Sequence, residues 1–598
     1  MKVCLADLKI SNRTRRSLIS TLTALALLFG ASLAPTANAA EPRKILTTWL
    51  PYYSLKNYLP AALNSKAIMN EIMPFWYSLS YSSTSKKATI KDLYTPGNPS
   101  VPVSQTLATL RSAGFKLIPT ISDGTTKLVL AKAMADPVGR KNIITSINLL
   151  IDANGYDGID LDFEGFAFED GRSSWVTTEP AWVSFIVELS ASLRAKNKIL
   201  SVTTPYQYTG KVNDPGYYVY AWAKIAPHID RLRIMTYDYS TSRPGPIGPI
   251  VWVEKTVQYA ISVMPASKVW VGLPGYGKDW VTKVEGVCPS NLTSVVKVGA
   301  KAATFHTKEA AANALAYGVT PTYDDQFQES TFTYQKSYPG TTSSGLATTC
   351  TATRTVWYQD AQSYSVRAKL VEKYKLGGVA TWILGMEEPL ALQAIATVAS
   401  SIAPAKVLST LSVDKNAIAY GYSVLVSGVF ALEDKLPVAG IPVRIEGKSA
   451  TDSNWRVLAN GVTNNLGAFA TSLLLAKSTT IRLVSDGTWE RMESTSSEAE
   501  VSVSRAVEIT APTSVKSGTS ISIRATVNPR TAGASVVLKK MVDGKWRAVG
   551  SALTTDSQGV VTFKVDKESR GVSTFAVEVA QDSAYSLVTT SQFSIIVR

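Results

Sequence analysis

Histidine is almost missing from this chain, with two in 598 residues, His228 and His306. Neither has a partner pattern around it. A zinc centre built on several histidines, or a Ser-His-Asp triad, therefore has little to draw on, and no metal or organic cofactor is implied. Cysteine is nearly as scarce. There are three, Cys4, Cys288 and Cys350, which excludes a small scaffold held by many disulfides. Charged residues make up 18% of the chain. No run of Lys and Arg stands out, so nucleic acid is not an expected partner despite a formal charge of +15. Beyond the N-terminus no apolar stretch is long enough to span a bilayer. No glycine-rich phosphate loop follows the first apolar run, so the alternative of an open doubly wound sheet lacks its usual mark.

The N-terminus itself reads as a secretory signal over residues 1–39. Basic "MKVCLADLKISNRTRR" precedes apolar "SLISTLTALALLFGASLA", and "ANA" at 37–39 is a small-x-small cleavage site. An uncleaved anchor is the competing reading, for which the apolar stretch is short. Cleavage removes Lys2, Lys9, Arg13, Arg15, Arg16 and Asp7 and leaves a charge of +11. The expected product is a secreted, extracellular monomer with no membrane span. Its charge favours an anionic surface such as a cell wall. Cys288 and Cys350 then remain as an even pair in an oxidising compartment. One disulfide closing a long loop is expected, with two separate buried thiols as the alternative.

From residue 44 to 400 short apolar runs alternate with stretches of helical spacing. The runs are "KILTTWL" (44–50), "MPFWYSLS" (73–80), "FKLIPTIS" (115–122), "YDGIDLDFE" (156–164), "ILSVTTP" (199–205), "RLRIMTYDY" (231–239), "KVWVGLPGYG" (268–277) and "GGVATWILG" (377–385). Helical stretches lie between them, among them "KNIITSINLLIDAN" (141–154) and "PAWVSFIVELSASLRAK" (180–196). Eight β-then-α units predict an α/β fold, a (β/α)8 TIM barrel over residues 40–401. Residues 278–356 exceed one helix, hold both downstream cysteines and include strand-like "ESTFTYQ". They predict a small α+β insertion after strand seven. At "SSIAPAK" (400–406) the composition turns to Val, Ser and Thr with alternating apolar residues. Two all-β immunoglobulin-like sandwich modules are expected, at 402–505 and 506–598. "NWRVLANGVTNNLGAFATSL" (454–473) parallels "KWRAVGSALTTDSQGVVTFK" (545–564), so the modules read as diverged copies.

Within the fourth run, Asp160, Asp162 and Glu164 alternate with Ile159, Leu161 and Phe163. Side chains alternate across a strand, so the acids share one face, about 6.6 Å from each to the next. A solvated strand face is the ordinary explanation for such a pattern. A barrel strand has no such face, because its inner side is the packed core. Three acids inside a barrel are costly unless protonated, hydrogen-bonded or put to use. Their mutual charge and low polarity raise at least one pKa, which keeps a carboxylic acid protonated near neutral pH. Glu164 is expected at the C-terminal end of the strand, where barrel enzymes carry their chemistry.

"DGIDLDFE" resembles the Asp-x-x-Asp-x-Asp-x-Glu signature of glycoside hydrolase family 18, the chitinase-like enzymes, at Asp157, Asp160, Asp162 and Glu164. "MTYDY" (235–239) resembles the family's Met-x-Tyr-Asp segment on strand six, and "GVATWILG" (378–385) is similar to its strand-eight segment. "TISDG" (120–124) matches only part of a third segment, at Ser122. Longer stretches, "VWVGLPGYGKDW" among them, resemble the bacterial subgroup of spore-cortex and cell-wall N-acetylglucosaminidases.

The resemblance implies substrate-assisted retaining hydrolysis at N-acetylglucosamine (GlcNAc) in a polysaccharide, whether chitin, chitin oligomers or peptidoglycan. Glu164 serves as acid and then base, and Asp162 holds the acetamido N–H. Asp160 shares a proton with Asp162, and Tyr237 binds the acetamido oxygen. Trp382 is the implied sugar platform, with buried core as its alternative. Met235 and Asp238 are further candidates for substrate contact. Asp157 faces away by parity and reads as structural. Two other functions remain open at this level. One is a non-catalytic sugar-binding or adhesion protein on the same fold. The other is an endoglycosidase acting on N-glycans, which uses the same acetamide.

Overall fold

The apolar runs become strands buried on both faces, as parallel strands covered by helices must be. In the computed structural model, which describes residues 41–598, they are β1 (Leu46–Pro51), β2 (Met69–Ser82), β3 (Thr120–Asp123), β4 (Gly158–Asp162), β5 (Ile199–Thr204), β6 (Arg231–Ile234), β7 (Val269–Pro274) and β8 (Gly378–Trp382). Each pairs in parallel with its neighbour, and β1 pairs with both β2 and β8, so the sheet closes into an eight-stranded barrel. The signal sequence expected at 1–39 lies outside the described residues. No helix among the described residues is long and apolar enough to cross a membrane.

Local signals deliver the chain into β4. The helix Pro137–Asn154 starts with Pro137 in its first turn, and Asp136 accepts from the Val138 N–H at 3.2 Å. It ends on Gly155 at φ 62°, a left-handed cap that glycine takes without a Cβ penalty. The long helix that follows β4 runs Trp175–Arg194, starting five residues earlier than the periodicity from 180 predicts, and keeps Pro180 inside it. Trp175 packs on Tyr217 and Tyr218, and that burial carries the helix through the proline. Phe185 of this helix stacks on Phe163 and Trp182 meets it edge-on, so the apolar face of the acidic run is sealed from outside. Fully burying a side chain of this size contributes about 1.5–3 kcal/mol.

The insertion is a five-stranded antiparallel sheet between β7 and β8. Its strand order is Ala303–His306, Tyr276–Gly286, Ala347–Tyr358, Glu329–Thr341 and Thr322–Asp324. "ESTFTYQ" opens the strand Glu329–Thr341, and a short helix, Ala310–Ala316, completes the α+β character. Cys288 and Cys350 form a disulfide across a sequence separation of 62. Closing a loop of that length in the unfolded chain is worth about 4 kcal/mol by chain entropy. Calorimetry of a Cys288→Ser/Cys350→Ser variant is therefore expected to show earlier melting than the oxidised protein. An unchanged transition would mean that the buried packing of Val281, Val296 and Ala352 around Cys350 holds the insertion unaided.

The described chain divides at Pro404 and Ala405 into two units. The second holds two separate apolar cores, one from Val407 to Val503 and one from Ile521 to Val597. Both are built the same way. Val407–Val413, Ser423–Leu432 and Ala468–Leu474 form a three-stranded sheet, matched by Ala506–Thr510, Ile521–Asn528 and Val560–Val565. The larger sheets also share one order, Ala417–Ala419 through Arg456–Val462 against Ser514–Val515 through Lys545–Ala548. The sequence duplication is thus a duplication of topology.

Candidate active site

Strand β4 ends at Asp162, two residues short of the expected run. Glu164 has φ −100° and ψ −25° and leads into a short helix, Gly165–Phe168. Strict alternation therefore holds for Asp160 and Asp162 only, and Glu164 stands on the rim. Its turn is fixed from two sides. The Tyr220 hydroxyl donates to the Phe163 carbonyl at 2.8 Å. Gly165 lies so close to Asp123 that a Cβ there would sit 2.4 Å from the Asp123 carboxylate.

Asp160 is fully buried and heavily solvated by side chains. Its Oδ2 accepts from the Trp49 indole at 3.2 Å, Thr120 at 2.9 Å and Thr203 at 3.1 Å. Its Oδ1 accepts from Ser201 and Thr203. Asp162, 9% exposed, is different: its Oδ1 is buried with no hydrogen-bond partner. Burial, the charges of Glu164 and Asp160, and a hydrogen bond to Glu164 push the Asp162 carboxyl well above the usual range. Burial also raises Glu164, the charge of Asp238 adds to it, and the hydrogen bond with Asp162 opposes it. Two such neighbours cannot both ionise cheaply, so the last proton between them is held above the ordinary carboxyl range.

Above this pair opens a cleft of about 820 Å³. Met235, Tyr237, Asp238 and Trp382 all line it, together with Asp162 and Glu164. "MTYDY" lies on the loop directly after β6, not on the strand itself, which ends at Ile234. Burial raises the Tyr237 phenol far above its ordinary value, so it stays a neutral donor. Its ring reaches the cleft across Gly272 of β7, where a Cβ would stand 2.9 Å from it. Asp238 takes a left-handed φ of 60° and forms an ion pair with Lys278 at the mouth. Trp382 ends β8 with Phe75 edge-on at 5.1 Å and Trp49 at 5.9 Å. Asp157 accepts from the Leu117 N–H at 2.8 Å and stays outside the cleft, as its parity predicts. Ser122 also lies outside it and donates to the Tyr77 carbonyl at 3.3 Å.

The opposite wall escaped the sequence reading. Tyr206, Tyr217, Tyr239 and Trp252 form a continuous aromatic surface, with Trp252 5.1 Å from Tyr206 and 5.3 Å from Tyr239. They come from loops and from the helix Ile250–Val263, where no strand parity marks a side chain as inward. Arg233, Ser201 and Thr203 were also missed, although their alternation in "RLRI" and "SVTT" carries the same signal as the acids. The site can donate a proton from the Asp162–Glu164 pair, accept an N–H at Asp162 and present flat apolar faces on both sides. Among the described residues no group of three or more His, Cys, Asp and Glu is placed to hold a metal ion.

Comparison with known proteins gives one family profile, "Glycosyl hydrolases family 18", matching residues 59–387. A putative sporulation-specific glycosylase of Bacillus subtilis (strain 168) is 24% identical over 265 residues, 44% of this chain and 55% of that protein. A cortical fragment-lytic enzyme of Bacillus anthracis is 26% identical over 259 residues, 43% of this chain and 53% of that protein. The match thus spans about half the length of these relatives. Among solved structures, a chitinase from Chromobacterium violaceum ATCC 12472 has a TM-score of 0.46 at 23% identity, covering 59% of this chain and 98% of that one.

Proposed function

The chain belongs to glycosyl hydrolases family 18, and from that premise we propose that it is an exported glycosidase cleaving β-1,4 bonds next to GlcNAc by substrate-assisted retaining hydrolysis. The observation that carries this reading is the Asp162–Glu164 pair, two hydrogen-bonded carboxyls pushed above their usual range, with the unpartnered Asp162 Oδ1 beside it under an aromatic cleft. Glu164 gives its proton to the glycosidic oxygen as the bond to C1 breaks. The substrate's 2-acetamido oxygen attacks C1 from the other side and closes an oxazolinium ring. Asp162 accepts the acetamido N–H at Oδ1 and its negative charge opposes the positive ring. The Tyr237 hydroxyl donates to the acetamido oxygen and holds it in line, and Trp382 supports the sugar face. Glu164 then takes a proton from water, which opens the ring at C1 with net retention.

Chitin oligomers and peptidoglycan are the substrates this site fits, since both present the acetamide. Export and attraction to an anionic wall rest on the N-terminal signal and the charge of +11 left without it. The test is product analysis by mass spectrometry on chitin oligomers, on their de-N-acetylated counterparts and on purified peptidoglycan. Cleavage confined to N-acetylated substrates is expected, because the acetamide is the nucleophile. New reducing GlcNAc ends in peptidoglycan identify a wall enzyme, and cleavage of chitin oligomers alone identifies a chitinase. Equal cleavage of de-N-acetylated oligomers would overturn the mechanism.

A further inference from the structure

Beneath Asp160 the barrel holds a second charged layer that the proposed reaction leaves unused. Glu71 on β2 is 2% exposed and Arg233 on β6 is fully buried. Arg231, two residues before Arg233, donates to both Glu71 oxygens, at 2.6 and 3.2 Å. Arg233 Nη2 donates to Glu71 at 3.1 Å. Its Nη1 lies 3.8 Å from Asp160 Oδ1 and also donates to Ser201, whose hydroxyl donates to that same oxygen. The Trp270 ring lies 5.7 Å from the guanidinium. Two carboxylates thus alternate with two guanidiniums, and the layer is neutral.

One level up the balance differs. Among the described residues no ion pair joins a Lys or Arg to Asp162 or Glu164, and Lys278 is paired with Asp238. The groups acting on this stack are Glu71 and, through it, Lys116. From β4 and its rim come Asp162 and Glu164, and from β6 come Arg231 and Tyr237. The remaining neighbours of Asp160 are the neutral donors Trp49, Thr120, Ser201 and Thr203. A cation beside one of three coupled acids weakens the field that this acid exerts on the other two.

We propose that Arg233 is a positioning residue of the active site: it is the counter-ion of Asp160 and offsets the negative field that Asp160 turns toward Asp162 and Glu164. The resemblance to family 18 implies a proton shared between Asp160 and Asp162. In this chain a guanidinium also lies below Asp160, and Asp162 is hydrogen-bonded to Glu164. The proposal rests on Glu164 being the acid and base of the reaction.

The first test is the pH dependence of kcat/KM on chitin oligomers for the full chain. Arg233→Met removes a positive charge below the acids, so both limbs of the profile are expected to move to higher pH by about one unit. Arg233→Lys keeps the charge and restores the limbs. Glu71→Gln removes a negative charge from the far side of Arg233, so the limbs move to lower pH. Opposite shifts from the two neutralising changes are not expected of a structural role, which lowers rate or stability with the limbs in place. Limbs that stay put in Arg233→Met and Glu71→Gln overturn the proposal. The second test needs no turnover and no Arg233 variant. Carbon-13 NMR of full chain labelled at aspartate carboxyls, with Asp162→Asn to assign the signal, follows the Asp162 carboxyl with pH. Its midpoint is expected to lie lower in Glu71→Gln than in the wild type. A midpoint that does not move overturns the counter-ion role. A chain that cleaves nothing but shows this displacement sinks the hydrolase reading and leaves Arg233 as assigned.

Discussion

The Glu164→Gln variant is expected to lose about three orders of magnitude in kcat on GlcNAc oligomers, within the 10²–10⁴ range of a general acid or base. An amide of the same shape has no proton acidic enough for the glycosidic oxygen and cannot take one from water. Folding should be unharmed, because Glu164 gains its place at the expense of burial and of repulsion by Asp238. Removing its charge relieves Asp162 as well. Binding by calorimetry should therefore persist while hydrolysis disappears. The pH behaviour has a definite sign. A Glu164 raised by burial keeps its proton above the ordinary range for a glutamic acid, so wild-type activity extends toward neutral pH and falls on the alkaline side as that proton leaves. A variant that unfolds, or loses binding together with turnover, contradicts the role given to Glu164.

The largest expected loss of stability lies elsewhere, at Glu329→Ala. Glu329 is fully buried at the start of the strand Glu329–Thr341. It accepts from the backbone N–H groups of Ile247 and Gly248 at 2.6 and 2.9 Å, from Gln359 at 2.8 Å and from Arg367 at 2.9 Å. Removing it leaves the fully buried Arg367 uncompensated and two buried N–H groups unpaired. Breaking a buried pair in this way costs about 3–5 kcal/mol. Urea unfolding measures it directly. The effect should also reach the cleft, because the Tyr239 N–H donates to the Ile247 carbonyl at 2.8 Å. A raised KM in the surviving folded protein is therefore expected with the lowered midpoint. A loss below about 1 kcal/mol would mean that water enters and solvates Arg367.

These two residues differ in how far the chain announces them. Glu164 is legible because period-two alternation is local: six residues suffice to show acids on one side and Ile159, Leu161 and Phe163 on the other. Even there the reading overshot. The strand stops at Asp162, since the Phe163 carbonyl is taken by Tyr220 and Glu164 turns into a helix. Glu329 stands in "ESTFTYQ", whose pattern gives the strand but not the partner, because Arg367 is met only after the insertion folds back. The Cys288–Cys350 pair is intermediate: only two cysteines were left to join, yet joining them takes a sheet that sets the two ends side by side.

What the chain by itself determined is whatever short-range order encodes. That covers eight buried runs with helices between them, the duplicated β modules, and three acids at alternate positions, two of them on a strand that must face inward. What tertiary structure alone decided is which distant groups those acids meet. Glu71 and Arg233 stand 162 residues apart and touch only because the barrel closes. Trp252 enters the cleft from a helix whose apolar stripe would equally suit burial. Periodicity fixes the face a side chain takes on its own element. Its partner, and hence its charge state, follows from which elements the closed barrel brings together.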